Sequence, residues 1–204
     1  MRVSVVSCGI GNVQSVVNAC IRVGAEPLVA HNADELVSQK SERIILPGVG
    51  AIGDALTKLR SGGIDKALAS RVWQDGVPFL GICVGMQVMA ESCEEFGQHR
   101  GLGWIPGNVG RIAPEDSDIR VPHVGWNTAR AAAADPLFAD VDGEHFYFVH
   151  SFAVACPDEF ALARTDYAGS FVSAVRRDHA VGVQFHPEKS SRAGERLLAN
   201  FLGA

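Results

Sequence analysis

Residues 78–91 read Pro78-Phe79-Leu80-Gly81-Ile82-Cys83-Val84-Gly85-Met86-Gln87-Val88-Met89-Ala90-Glu91. Pro78 to Ile82 predicts a buried strand, and Val84 to Glu91 a helix. Between them, Gly81-x-Cys83-x-Gly85 has the pattern of a nucleophile elbow, a tight strand-to-helix turn. The flanking glycines remove side chains that would clash in such a turn. Residue 83 is thereby thrust above the carboxyl end of its strand, at the start of the next helix. Helix-end N–H groups and the macrodipole favour a thiolate there. The backbone N–H of Val84 can point at a developing oxyanion. On this motif alone, a buried structural cysteine stays open as the alternative.

Working outward from the elbow, strand-like and helix-like stretches alternate. Val3 to Val6, Pro27 to Ala30 and Arg43 to Leu46 predict strands. Val13 to Ile21, Asp34 to Val37 and Ala51 to Leu68 predict helices, the last broken at Gly62-Gly63. This order implies right-handed βαβ crossovers and a central, mainly parallel sheet with helices on both faces, an α/β fold. After Gly97 the texture changes. Val109 to Ile112, Phe146 to His150, Phe160 to Arg164, Phe171 to Arg176 and Ala180 to Phe185 predict short strands in hairpins or an antiparallel extension, and Glu195 to Leu202 a closing helix. No repeat or linker divides the chain, so residues 1–204 are expected to form one domain.

The composition narrows the function. The chain has 204 residues, 47% of them hydrophobic and 20% charged, with a formal net charge of −5. That balance gives no basic footprint for nucleic acid. No apolar run approaches the ~18 residues of a membrane span. The opening Met1-Arg2-Val3-Ser4-Val5-Val6 is interrupted by Gly9, Gly11 and Asn12 too early for a signal peptide. The five cysteines, Cys8, Cys20, Cys83, Cys93 and Cys156, are odd in number and lack CxxC spacing. They suggest a reducing, cytoplasmic setting with no disulfide framework and no zinc site. His31, His99, His123, His145 and His179 lack metal-like spacing, so no metal is expected.

A reactive thiol needs a base, and the base needs a partner on its other nitrogen. Val183-Gln184-Phe185-His186-Pro187-Glu188-Lys189-Ser190 supplies both at a strand end. Pro187 biases His186 to extended geometry, so that His186 and Glu188 can face one way. Glu188 can then hold the imidazole tautomer. A solvated His-Pro-Glu turn is the alternative for this segment alone. The order Cys, His, Glu differs from the nucleophile–acid–His order of α/β-hydrolases.

Cys83 in Gly-Ile-Cys-Val-Gly-Met-Gln, together with His186-Pro187-Glu188, resembles the class I (triad) glutamine amidotransferases, whose fold is flavodoxin-like. Pro47-Gly48-Val49-Gly50-Ala51, Val121 to Asn127, Tyr147 to Ser151 and Phe185 to Ser190 are similar to one branch, the glutaminase subunits of imidazole glycerol phosphate synthase. The resemblance runs from residue 1 to the C-terminal helix. It implies that Cys83 attacks the side-chain amide of glutamine and that His186, oriented by Glu188, moves the protons. It further implies oxyanion N–H groups at Val49 and Val84, on a loop that Gly48 and Gly50 let reorient. Gln87, Ser151 and Phe152 would hold the substrate. Asn12, Trp126, Tyr147 and Lys189 fall on positions facing a partner, a (β/α)8 cyclase subunit in a heterodimer, with no cofactor.

Three departures stand out: Ser7-Cys8 where many members carry Asp-Tyr, Phe152 where a hydroxylated aromatic is common, and Val84 where Leu is usual. None removes a reacting group. The sequence has no GxxxxGK[ST] loop and no complete dinucleotide fingerprint, so the ammonia acceptor is expected on another chain. The implied product is imidazole glycerol phosphate, in histidine biosynthesis. Rival readings are a paralogous subunit feeding amino-sugar synthesis for surface polysaccharide, a cysteine protease or deglycase of the same broad fold, and a binding module without activity. Residue 84 being Val opposes the protease or deglycase, and the intact Cys83, His186 and Glu188 oppose the binding module.

Overall fold

The computed structural model describes residues 1–7, 9, 12–113 and 119–203. Cys8, and Ile10-Gly11 of the first turn, lie outside the described residues. The first half alternates as expected: β1 (Arg2–Val6), α1 (Val13–Arg22), β2 (Glu26–Ala30), α2 (Ala33–Ser38), β3 (Arg43–Gly48), α3 (Ile52–Ser61), α4 (Ile64–Ala69), β4 (Phe79–Cys83) and α5 (Val84–Gln87). A π-helical turn, Ser70–Gln74, extends α4. Then come β5 (Ala90–Cys93), β6 (His99–Arg100), β7 (Ile105–Arg111), β8 (His123–Thr128), β9 (Arg130–Ala131), β10 (His145–His150), β11 (Phe152–Ala155), β12 (Ala161–Asp166), β13 (Ser170–Arg177), β14 (Ala180–Val183) and α6 (Ser191–Leu202).

The central sheet runs β2-β1-β3-β4-β14-β13-β11-β7-β5-β6. Its first five strands are mutually parallel. The near-continuous burial of β1, β3, β4 and β14, complete in the last two, is what strands covered on both sides require, and the edge strand β2 is only partly buried. From β13 onward most pairings are antiparallel, with β12 and β9 attached beside β13. The helices pack in two groups, α1 with α6, and α2 and α3 with α4. The fold is therefore α/β with a mainly parallel centre and an antiparallel extension.

Two expectations need correction. The helix predicted from Val84 to Glu91 stops after Gln87, and Ala90–Cys93 is a strand paired with β7. Tertiary pairing overrides helical spacing there. The carbonyls of Val88, Met89 and Ala90 accept from the N–H groups of residues 102–105, which ties this stretch to the following segment. The second concerns β8, a strand that the sequence pattern does not predict. It pairs with β10 as a separate two-stranded sheet. Its burial is inverted, with His123 inside while Val124 and Trp126 lie outside, so the usual in–out pattern conceals it.

Candidate active site

The elbow sits where three parallel strands end together. In register, Gly48 of β3 lies beside Cys83 of β4, and Val183 of β14 lies beside Ile82. Three residues beyond Val183 comes His186. Adjacent parallel strands thus bring residues 83 and 186 to the same carboxyl-end crevice, where open α/β sheets bind ligands.

Cys83 has φ 54 and ψ −110, a left-handed conformation that side chains rarely adopt. The close approach around it explains Gly85. A Cβ at that position would lie 1.9 Å from the carbonyl oxygen of Leu46. The helix after the elbow, α5, is a single turn, so it offers the free N–H groups of a first turn rather than a long dipole.

His186 donates or shares its Nδ1 proton with Glu188 Oε1 at 2.8 Å, both side chains buried. The solvated-turn alternative is thereby removed. His186 Nε2 is buried and has no hydrogen-bond partner among the described residues. Burial disfavours the charged ring, but the neighbouring Cys83 sulfur and the Glu188 carboxylate outweigh it and raise the His186 pKa to about 9. Elsewhere burial is the main influence on the thiols: it pushes Cys20 up to about 12, and with the Glu95 carboxylate, partly opposed by Arg60, it does the same to Cys93, which makes both inert.

Cys83 and His186 line one pocket of about 320 Å³ together with Val49, Gly50, Val84, Gln87, Ser151 and Phe152. Gly48 lies behind this wall, against Val84 and Gly85; a Cβ on it would come within 2.9 Å of either residue. Gly50 has φ 93, which glycine adopts without strain. Gln87 is buried, and both its amide protons are used, on the Phe152 carbonyl (2.9 Å) and Gln184 Oε1 (3.0 Å). It therefore shapes the pocket by holding these two groups.

Away from the pocket, Asn12 caps α1 by accepting from the N–H of Ser15. Trp126 and Tyr147 are cross-strand partners with rings 6.1 Å apart, and Lys189 Nζ lies 5.8 Å over the Tyr147 ring. His150 faces the core and Tyr147 the other side of β10.

Three site residues escaped the sequence reading. Gln184 donates to the Cys83 sulfur at 3.6 Å. Its neighbourhood to His186 was the only available signal. Glu95 lines the pocket while accepting from the N–H of Ile52 at 2.6 Å, at the start of α3. His150 also lines it, whereas the sequence gives it no site role beside its neighbours Ser151 and Phe152. Among the described residues, no three His, Cys, Asp or Glu side chains group as a metal site, and no helix is long and apolar enough to cross a membrane.

The chain is similar to known proteins over nearly its whole length. It is 42% identical to "Imidazole glycerol phosphate synthase subunit HisH 2" of Nitrobacter winogradskyi, covering 98% of this chain and 97% of that one. It is 46% identical to the HisH subunit of Chloroflexus aurantiacus, covering 98% and 94%. Among solved structures, one described as a glutamine amidotransferase superposes with a TM-score of 0.75 at 19% identity, covering 99% of both chains. PurLQS from Thermotoga maritima gives a TM-score of 0.76 at 20% identity, covering 99% and 97%. These distant structures share the fold. The family model "Glutamine amidotransferase class-I" matches residues 4–204. With the whole length matched at such identity, the chain belongs to the class-I glutamine amidotransferase family.

Proposed function

We propose that the chain is the glutaminase subunit of an imidazole glycerol phosphate synthase, one amidotransferase domain over residues 1–204. It releases ammonia from glutamine and passes it to a (β/α)8 cyclase subunit in a cytoplasmic heterodimer. The observation that carries the reading is a strained elbow cysteine sharing a pocket with a buried His–Glu pair.

The chemistry follows from the proton balance. The Cys83 thiolate attacks the δ-carbon of glutamine, and the carbonyl electron pair moves to oxygen. N–H groups of Val49 and Val84 receive that oxyanion once the Gly48–Gly50 loop is set. Collapse breaks the C–N bond, and imidazolium His186 donates its proton so that ammonia leaves. Neutral His186 then takes a proton from water, hydroxide attacks the thioester, and glutamate departs while the thiolate is restored. Glu188 holds the ring throughout. Ser151 and Phe152 backbone groups receive the α-carboxylate end of the substrate. Glu95, the carboxylate at the pocket wall, suits the α-ammonium. Asn12, Trp126, Tyr147 and Lys189 face the partner.

The test is to copurify the chain with its partner and assay the pair. Wild type should release ammonia from glutamine far faster with the ligand-loaded cyclase than alone. Cys83→Ala should abolish glutamine-dependent synthesis and leave ammonia-dependent synthesis intact. Glutamine hydrolysis by Cys83→Ala would overturn the assignment. Recovery of an amino-sugar synthase as the partner would keep the chemistry but replace the acceptor.

A further inference from the structure

A chain of hydrogen bonds, buried where its two histidines meet, leads from the Trp126 strand to the pocket wall, and its direction is determined at every link. Asn127 Oδ1 accepts from the N–H of Thr128 at 2.8 Å, and Nδ2 donates to the Asp166 carbonyl at 3.1 Å, which fixes the orientation of the amide. The second Nδ2 proton points at His123 Nε2, 3.3 Å away, so that nitrogen accepts. At the far end, His150 Nδ1 lies 2.9 Å from the Phe152 carbonyl. A carbonyl only accepts, so Nδ1 carries the proton and a neutral His150 keeps a lone pair on Nε2. Between the rings, His123 Nδ1 and His150 Nε2 are 3.1 Å apart. Only donation from His123 to His150 satisfies both ends.

Both rings are buried, and burial lowers each pKa to about 4, so both are neutral across the working range. Burying an imidazole costs least when both nitrogens are satisfied, which this arrangement achieves for both rings. The Phe152 carbonyl also accepts from Gln87, so two donors aim it. Ser151 and Phe152 belong to the pocket lining.

We propose that His123 and His150 form a relay of fixed tautomers that holds the Phe152 carbonyl, and with it the Ser151–Phe152 wall, in the geometry that receives glutamine. This rests on the glutaminase reading. His123 touches none of the reacting groups and is a positioning residue, acting through His150.

His123 stacks between Phe148 and Tyr167, with centroids 4.8 and 3.8 Å away. His123→Phe therefore keeps the stack and removes only the relay. His123→Asn returns a donor at the position of Nδ1. The measurement is the rate of Cys83 alkylation by iodoacetamide in the full-length chain, with and without glutamine. The glutamine concentration giving half-protection should rise about tenfold in His123→Phe, the loss of one neutral hydrogen bond, and return to within about threefold of wild type in His123→Asn. The unprotected alkylation rate should stay within about twofold in both variants. A merely structural role would not separate these two readouts. An unchanged half-protection concentration, a changed unprotected rate, or no rescue by Asn overturns the relay. Should a variant fail to fold, 15N spectra of histidine-labelled wild type decide: both rings should carry their proton on Nδ1 near pH 7, and protonation of either Nε2 refutes the proposal. Failure of glutamine to protect wild-type Cys83 would instead refute the glutaminase reading.

Discussion

At Cys83 the backbone stands at φ 54, a conformation that costs an L-residue roughly 1–3 kcal/mol and is held only because its surroundings over-determine it. Cys83→Ala and Cys83→Gly both remove the thiol, but only Ala keeps the strained Cβ. Glycine loses about 0.5–1 kcal/mol through its freer unfolded chain. The net expectation is that Cys83→Gly is about 1 kcal/mol more stable than Cys83→Ala, roughly 2–4 °C in Tm for a chain of this size. Paired thermal melts read the difference, and a glycine variant melting below the alanine one would show that the elbow stores no strain. The same residue shows what the sequence discloses. Gly81-x-Cys83-x-Gly85 is a contiguous signal because a tight turn is made by neighbours. Gln184 offers only its nearness to His186 and Glu95 offers nothing, because their places in the site depend on strand register and on the loop after β5, which no local pattern encodes.

The His186 turn shows how elements are tied together. Its 3-10 segment Pro187–Lys189 is flanked by His186 and Ser190, which join it to β10 by two bonds and brace the turn by a third. The N–H of Tyr147 donates to Ser190 Oγ at 2.9 Å, that hydroxyl donates to the His186 carbonyl at 2.6 Å, and the N–H of His186 donates to the Tyr147 carbonyl at 2.9 Å. Ser190 is buried, so no solvent replaces its hydroxyl. Ser190→Ala should therefore cost about 1–3 kcal/mol in urea unfolding, the penalty of leaving the Tyr147 N–H unmet, while the His186 carbonyl keeps the N–H of Lys189. A loss below about 0.5 kcal/mol would mean that β10 and the turn are held by other contacts. Elements with conventional burial, such as β1, β3 and β4, were legible within one or two residues, whereas α6 begins four residues before the expected Glu195. The short α5 and the inverted β8 were not, because long-range pairing and outward-facing apolar residues contradict the local signals on which such a reading depends.

At the scale of the molecule, that inversion matters most. Strands β8 and β10 place Val124 opposite Val149 and Trp126 opposite Tyr147 in register. On the outward face Val124 is 55% exposed, Trp126 52% and Val149 36%, and Val49 on the pocket rim is 38% exposed. Buried histidine with exposed tryptophan reverses what a free-standing sheet needs, which marks the face as one built to be covered. Val49 and Val149 also line the pocket of Cys83, so a partner on this face would lie at the mouth where ammonia leaves. Ammonia released to bulk water at neutral pH protonates and is lost to the acceptor, so a covered mouth serves the proposed reaction directly. Trp126 is the largest exposed anchor on this face, and buried tryptophans of that kind commonly contribute 2 kcal/mol or more to association. Trp126→Ala should weaken binding of the cyclase partner by about 30-fold or more in titration calorimetry. Because the side chain is half exposed in the free chain, Tm should move by no more than about 2 °C. Undiminished affinity in a folded variant would place the partner elsewhere, and a large fall in Tm would return Trp126 to the core.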